Sequence, residues 1–192
     1  MKNDNVLNSI KKITGFTDIE IDIILKRFEP KTIHKKTNLL KAGATAKEIY
    51  FIIKGCMRLF YEKGGEDISA YFFTEGMFAG AYDSFSSQKP SRHFIETSED
   101  CEVLIISLKE LEQLFIEFPK MNEFIRKILE DRFISLHQLF TSQILDSPEE
   151  RYLNLVKDRP DLLNRVPQHQ IATFLGITPV SLSRIRNRVT KK

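Results

Sequence analysis

The chain has 192 residues, 42% of them hydrophobic and 29% charged, with a formal net charge of +3 at pH 7. These fractions are those of an ordinary globular protein, which excludes a disordered chain. No apolar run approaches the roughly 18 residues of a membrane span, and the N-terminus lacks a secretory signal, so we expect a cytoplasmic protein without a membrane partner.

Cysteine content limits the cofactors that the chain can hold. The two cysteines, Cys56 and Cys101, are too few for a disulfide framework or for an iron–sulfur cluster held by four thiolates. Both are predicted to be small buried hydrophobic side chains.

Positive charge is concentrated at the C-terminal end. Residues 162–192 contain no Asp or Glu and six basic side chains, which are Arg165, Arg184, Arg186, Arg188, Lys191 and Lys192. Since the whole chain totals +3 and this segment +6, the preceding residues total −3. A basic segment on a mildly acidic body favours a polyanion partner, most simply the phosphates of nucleic acid. A solvated terminal tail is the plainer alternative.

The first half of the chain predicts a short helix over 18–28 and then strands over 31–106. The segments IYFII, CMRLFYE, DISAYFF, HFIET and EVLIIS are rich in β-branched and aromatic residues. Glycines at turn positions recur about every ten residues, which is typical of an antiparallel sandwich or barrel. We therefore predict a jelly roll.

From Leu108 the apolar pattern becomes helical. Residues 119–145 contain no glycine and no internal proline, and their apolar residues recur in steps of three and four. Such a helix would be about 40 Å long, so part of its stripe can pack on the sandwich while the rest needs a partner. We predict homodimerisation, with contacts at Ile125, Ile128, Leu129, Phe133, Leu136 and Phe140.

A new helix is predicted at Ser147-Pro148, because Ser147 can cap it and Glu150 has the spacing of a capping box. We take this as a boundary. The chain then divides into an effector-binding jelly roll with flanking helices over 1–117, a dimerisation helix over 118–146 and a helix-turn-helix domain over 147–192.

Two short helices, over 168–175 and 179–189, predict the helix-turn-helix. Gly176 makes the turn, Thr178 caps the second helix, and the apolar residues share one core. Arginines on the outer face suit guanine, and serine hydroxyls suit phosphates, although a hairpin that binds no DNA has a similar pattern. The predicted DNA contacts are Gln168, His169, Thr178, Pro179, Val180, Ser181, Ser183, Arg184, Asn187, Arg188, Lys191 and Lys192.

Jelly roll, long helix and helix-turn-helix follow one another in the order of a known family. With the stretches IYFIIKGCMRLF, EGMFAGAYDSF, CEVLIIS and FLGITPVSLSRIR, the chain resembles the catabolite activator/fumarate-nitrate regulator (CRP/FNR) family of bacterial transcription factors. The resemblance implies an α+β fold, a homodimer joined along 119–145 and an effector pocket in the jelly roll. It also implies a palindromic double-stranded operator with half-sites about 34 Å apart, and RNA polymerase as a further candidate partner.

The effector site departs from that family. Members that bind cyclic nucleotides carry a Gly-Glu pair for the ribose and an Arg-Ser or Arg-Ala pair for the phosphate. Here Ala81 follows Gly80, and Ser91 takes the arginine position with Arg92 one residue later. A shift of one residue in a strand turns a side chain to the other face, so cyclic AMP is not the expected effector.

The resemblance places a defined set of residues around the effector pocket. An arginine near two histidines could select an anion, either an organic acid or a different nucleotide. The set is Gly80, Ala81, Tyr82, Ser91, Arg92, His93, Arg132, Leu136 and His137.

Enzyme chemistry has little support in the sequence. The four histidines are scattered, and there is no phosphate-binding loop or nucleophile elbow. We predict no catalytic residue, metal site or evident cofactor, although haem ligation by a single histidine stays open. The chain ends at Thr190-Lys191-Lys192, so the family's β-hairpin wing is not expected.

Two functions from different classes therefore remain. The first is a dimeric transcription regulator with an unidentified small-molecule effector or none. The second is a ligand-binding module whose helical tail contacts protein instead of DNA, and a cupin-like enzyme is a weaker third.

Overall fold

The computed structural model describes residues 15–189. Its first elements are α1 (Asp18–Leu25), β1 (Glu29–Ile33), β2 (Asn38–Leu40), β3 (Glu48–Lys54), β4 (Met57–Lys63), β5 (Glu66–Phe73), β6 (Phe78–Ala79) and α2 (Tyr82–Ser87). The later elements are β7 (Phe94–Thr97), β8 (Cys101–Ser107), α3 (Leu108–Glu117), α4 (Lys120–Leu145), α5 (Pro148–Asp158), α6 (Leu162–Arg165), α7 (Gln168–Phe174) and α8 (Pro179–Val189).

The eight strands form an antiparallel sandwich of two four-stranded sheets. Sheet A has the strand order β1-β8-β3-β6 and sheet B the order β2-β7-β4-β5. Alternate residues of the strands point inward, so Ile52 and Val103, which are partners in register, are both buried with Met57 and Ile95. The predicted jelly roll is confirmed. The sequence pattern does not predict strands β1, β2 and β6 individually, because they are short or largely exposed.

Helices α1, α3 and the start of α4 pack together beside the sandwich. Helix α1 begins at Thr17, whose hydroxyl accepts a hydrogen bond from the Glu20 N–H in a complete capping box. Ile24, Leu114 and Phe124 bring these three helices into one buried cluster. The cluster also contains Ile49 of β3 and Ile106 of β8, so these helices pack against sheet A.

Helix α4 extends well past this cluster. It has 26 residues, and its buried residues, Met121 and Phe124, lie in its first turns. Farther along, the side chains of Phe133, Phe140 and Ile144 are 70%, 66% and 64% exposed. Burial of these apolar groups requires a surface other than residues 15–189 of this chain, because helix stability in proteins comes mainly from packing of the apolar face.

The C-terminal helical part, formed by α5 to α8, packs on the outer face of sheet B. Phe72 of β5 points outward and lies in the same buried cluster as Leu162, Ile171 and Leu182, whereas the next residue along the strand points into the sandwich. The ring of Phe72 meets that of Phe174 edge to face at 5.3 Å. The helical part therefore has its own buried core, to which sheet B contributes outward-facing residues such as Phe72.

Polar contacts join the same two parts. The Ser69 N–H of β5 donates to Thr173 Oγ1 over 3.2 Å. Arg165 of α6 forms a bidentate pair with Glu75, at 2.9 and 2.8 Å, and donates to Glu99 through Nε at 3.1 Å and through Nη2. Arg165 thus binds the sandwich, so its charge, counted in the basic segment 162–192, is paired within the protein.

Across residues 15–189, no helix is long and apolar enough to cross a membrane.

Candidate functional site

The first candidate site is the pair of helices α7 and α8. Gly176 connects them with φ at 68°, in the left-handed region that favours glycine, and the Ile177 N–H donates to the Ala172 carbonyl at 3.0 Å. Thr178 Oγ1 then accepts from the Ser181 N–H at 3.2 Å and caps α8. The predicted turn and cap are present. Burial of Leu182 fixes which face of α8 points outward.

The outer face of α8 carries the side chains that the sequence analysis assigned to DNA. Val180 is 61% exposed, and Ser181 is half-buried. The other exposed members of the set on and around α7 and α8 are Gln168, His169, Thr178, Pro179, Ser183, Arg184, Asn187 and Arg188. Lys191 and Lys192 lie outside the described residues.

The arginines of α8 differ in their surroundings. Arg188 Nη1 lies 3.3 Å from Glu149 Oε2 of α5, which offsets part of its charge. Arg184 is exposed one turn earlier, closer to the N-terminal end of α8. Arg184 is therefore the arginine whose surroundings best suit a contact to a nucleic acid base.

The second candidate site is a cavity of about 510 Å³ between the sandwich and helix α4, with α1 contributing to its wall. This volume is within the range of small-molecule sites in proteins. Most of its wall is apolar. Representative wall residues are Phe28, Ile49, Phe51, Leu59, Phe73, Phe78, Ile106, Phe124, Ile128 and Leu129.

Arg132 of α4 brings a positive charge to this apolar wall. Its guanidinium lies 4.4 Å from the ring centre of Tyr71 and 4.9 Å from that of Phe73. Nη2 donates to the Phe78 carbonyl at 3.2 Å, whereas the buried Nη1 has no hydrogen-bond partner within residues 15–189. Burial lowers the pKa of Arg132 from its ordinary value. The guanidinium still holds its charge at neutral pH, since arginine does not lose its proton in proteins.

His93 is the second buried polar group of the cavity. Its side chain is nearly fully buried, with the whole residue 5% exposed, and its ring meets the Tyr61 ring edge to face at 5.6 Å. Nε2 lies 3.7 Å from Asp83 Oδ1, too far for a hydrogen bond, and has no hydrogen-bond partner in the described part of the chain. Burial lowers the pKa of His93, although Asp83 opposes this effect. His93 is therefore neutral at pH 7.

The structure brings part of the predicted effector set together. The members that line the cavity are Gly80, Ala81, Tyr82, His93, Arg132 and Leu136. Ser91, Arg92 and His137 are not among the lining residues. Arg92 is exposed and lies in a bend two residues before β7, so the geometry does not support its assignment to the effector site.

The polar residues of the segment that would cradle a cyclic phosphate already form hydrogen bonds within the protein. Ser91 Oγ accepts from the His93 N–H at 3.1 Å and donates to the His93 carbonyl at 3.0 Å. Ser84 Oγ accepts from the Ala46 N–H at 3.0 Å. Gln88 Nε2 donates to the Phe85 carbonyl. These groups are engaged within the fold and leave little hydrogen-bonding capacity for a phosphate.

Sequence reasoning missed several residues of the cavity. Tyr61, Tyr71 and Asp83 line it, together with residues of α1 such as Ile24 and Leu25. Leu59 and Tyr61 are two residues apart in β4, and so are Tyr71 and Phe73 in β5, which puts each pair on one face of its strand. This spacing could have indicated that Tyr61 and Tyr71 line the cavity. Nothing in the sequence places α1 against that face.

The remaining candidate chemistry is limited. Among the described residues, no three His, Cys, Asp or Glu side chains come together as a group that could hold a metal ion. Cys56 and Cys101 are buried free thiols, and burial raises their pKa to about 12 and about 11. Such thiols are poor nucleophiles at neutral pH, so the prediction that they are buried hydrophobic side chains is confirmed.

Known proteins resemble this chain in sequence and in structure. The family model of the cyclic nucleotide-binding domain matches residues 30–118. A relative, the cAMP-activated global transcriptional regulator CRP of Haemophilus influenzae, is 22% identical, and the match covers 95% of this chain and 86% of the relative.

Solved structures share the fold across nearly the whole chain. The c-di-GMP responsive global regulator CLP of Xanthomonas campestris matches with a TM-score of 0.72 and 18% identity, over 91% of this chain and 92% of CLP. FixK2 from Bradyrhizobium japonicum also has a TM-score of 0.72, with 14% identity and 85% coverage of both chains. The chain is therefore a homologue of CRP with the fold of the CRP/FNR family of regulators, and its residues 30–118 are a cyclic nucleotide-binding domain.

Proposed function

We propose that this protein is a dimeric, sequence-specific DNA-binding transcription regulator, not an enzyme, whose cavity takes a small-molecule effector other than cyclic AMP. The observation that carries the proposal is the exposed outer face of α8 on a complete helix-turn-helix. The relatives named as regulators support it by their likeness to this chain.

Helix α8 has the features of a recognition helix. Its first turn is exposed at Thr178, Pro179 and Val180, so the Val180 N–H can reach a phosphate. Arg184 has five donors in a planar fork, which match the O6 and N7 acceptors of guanine in the major groove. Asn187, also exposed, can pair with adenine in the same way.

Helix α4 provides the dimer contact in this proposal. Phe133, Phe140 and Ile144 are exposed apolar side chains at helical spacing, and a second copy of α4 would bury them. Two copies related by a twofold axis would then present two α8 helices, as a palindromic operator requires.

The same helix offers a route from the cavity to α8. Arg132 of α4 contacts the cavity wall, and farther along α4 the Gln143 amide donates to the Phe174 carbonyl at 3.1 Å. The Arg151 guanidinium of α5 donates to the Asp146 carbonyl, directly after α4, and to the Leu175 carbonyl, directly after α7. It therefore links the ends of these two helices. An effector would shift α8 only if it binds one placement of α4 more tightly than another.

Cyclic AMP fits this cavity poorly. Ala81 has no carboxylate for a ribose hydroxyl, and Arg92 is directed to solvent. A buried site built for hydrogen-bonded partners loses much of its affinity when one partner is missing. We therefore expect the effector to have a different chemistry.

The decisive experiment is selection of duplex DNA from a random pool by the purified full chain, followed by affinity measurements at several salt concentrations. We expect a palindrome whose affinity falls steeply as salt rises, because phosphate contacts release counterions. If no sequence is enriched, either without ligand or with candidate effectors, the result would contradict the proposal. It would favour a helical part that contacts protein.

The dimer is tested by Phe140→Asp in sedimentation equilibrium. A charge in a buried apolar interface is costly, so the variant should be monomeric at concentrations where the wild type is dimeric. Gln138→Asp, on the same exposed stretch of α4, is the control and should leave the dimer intact. A dimer that survives Phe140→Asp would place the contact elsewhere.

A further inference from the structure

We infer that the effector is an amphipathic organic anion, an apolar body that ends in one carboxylate, with the carboxylate bound by Arg132. The inference rests on the proposed function, since it names the chemical class of the ligand for the same cavity. Three features of the cavity carry it.

The first feature is the apolar wall. Aromatic and aliphatic side chains from both sheets and from α1 and α4 surround the space, including Phe51, Leu59, Phe78 and Leu129. An apolar group that leaves water for such a wall gains roughly 25 cal/mol for each Å² of its surface that is buried. A sugar or a phosphodiester would have to give up its hydration here with few partners in return. The wall therefore selects an apolar body.

The second feature is Arg132, the one Lys or Arg side chain among the described residues that line the cavity. Arg132 Nη1 is buried and lacks a hydrogen-bond partner among the described residues, while Nη2 is occupied by the Phe78 carbonyl. The rings of Tyr71 and Phe73 hold the guanidinium in place from the sandwich side. A carboxylate oxygen at Nη1 would supply the missing partner in a charge-assisted bond.

The third feature is the distribution of charge around the cavity. Asp83, Arg132 and the neutral His93 are the ionisable side chains of its lining apart from tyrosines. Asp83 repels a second negative group, and His93 can offer only a neutral hydrogen bond through Nε2. This distribution favours one negative charge and disfavours a nucleotide with several phosphates.

The position of the cavity also links this ligand to the dimer contact. Phe133 and Leu136 line the cavity, yet they are 70% and 47% exposed. A partner helix on this face would cover the ligand's apolar body as well as the stripe of α4. Ligand binding and dimer contact would thus stabilise each other.

The test compares two probes with the same alkyl chain, one ending in a charged carboxylate and the other in a neutral hydroxyl group. Octanoate and octan-1-ol have the same apolar chain, and their binding to the full-length protein is measured by isothermal titration calorimetry at pH 7, with cyclic AMP as a third probe. A hydrogen bond to a charged group contributes enough for octanoate to bind about 10- to 100-fold more tightly than octan-1-ol. Cyclic AMP should bind more weakly than octanoate.

Arg132→Met then removes the charge while keeping an apolar side chain of similar length. We expect this variant to lose the preference for octanoate and to keep its affinity for octan-1-ol. Arg126→Met, an exposed position on the same helix, should keep the wild-type preference. If Arg132→Met does not fold, as judged by circular dichroism, Arg132→Lys takes its place and should retain a reduced preference for octanoate.

Three results would overturn the inference. The first is that the wild type binds octanoate and octan-1-ol equally well or binds neither. The second is that the preference for octanoate survives in Arg132→Met or vanishes in Arg132→Lys. The third is that the wild type binds cyclic AMP more tightly than octanoate. Because these titrations contain no DNA, such a result would leave the DNA-binding proposal untouched. Failure of the DNA selection would likewise leave the ligand measurement intact.

Discussion

Replacing Arg165 with methionine would remove the ion pairs between α6 and the sandwich. The guanidinium meets Glu75 in bidentate geometry and also bonds Glu99, and the three side chains are 24%, 43% and 30% exposed. Exposed ion pairs are worth about 0.2–1 kcal/mol, and bidentate networks are stronger. Because solvent screens part of this network, we expect Arg165→Met to lower the free energy of unfolding by about 1–2 kcal/mol.

Urea denaturation of the full chain at pH 7 measures this loss, and a double-mutant cycle with Glu75→Gln isolates the pair. A coupling free energy of about 1 kcal/mol is expected, which corresponds to roughly 2–4 °C in melting temperature for a chain of this size. Arg126→Met, which breaks an exposed pair with Glu130 on α4, is the matched control and should change stability by less than about 0.5 kcal/mol. A coupling free energy near zero would refute the contribution of the Arg165–Glu75 ion pair to stability.

The same pair has a pH signature. Burial alone would raise the pKa of Glu75, but hydrogen bonds from Arg165 and from the Gly55 N–H outweigh it and hold the pKa below its ordinary value of 4.5. The stabilisation is therefore present above pH 4.5 and is lost as the pH falls through the lowered pKa. The difference between wild type and Arg165→Met should shrink in that acid range, and a difference that grows there would contradict this assignment.

The other predictions concern the helical part. Arg184→Ala should change the preferred base at one position of the selected DNA and cost about 1–3 kcal/mol of binding free energy. Arg188→Ala should lower the affinity for all DNA sequences alike. A loss of affinity for Arg184→Ala that is the same for every sequence would contradict a contact between Arg184 and a base. Gly176→Ala forces a left-handed φ on alanine and should cost about 1–2 kcal/mol in urea unfolding; its Cβ would lie 2.9 Å from Gln143 Oε1, the end of a flexible side chain that can move aside. Gly64→Ala has a similar φ in open space and should lose a similar amount, so a much larger loss for Gly176→Ala would contradict strain as the main cause. Ser147→Ala removes the cap of α5 and should cost about 1 kcal/mol by the same assay; unchanged stability would contradict the role of the cap.

Much of the fold follows from local sequence. Alternation of side chains marks β3, β4, β5 and β8, since neighbouring residues of a strand face opposite sides of a sheet. Thr178, Pro179 and Gly176 mark the ends of α7 and α8 because their backbone preferences and capping bonds depend only on near neighbours. The departure of Ala81 from a nucleotide-binding pattern is likewise visible in the sequence alone.

The ligand site depends on contacts that the sequence does not reveal. Arg92 and Arg132 are both arginines in the expected region, yet only Arg132 reaches the cavity, because Arg92 lies in an exposed bend before β7 and the packing of α4 brings Arg132 over Tyr71. Arg165 also looked like part of a basic segment until the docking of α6 placed it on Glu75. Local pattern therefore determined the longer strands, the long helix and the ends of α7 and α8, whereas tertiary packing between distant segments decided which charges bind the protein itself and which remain for ligand or DNA.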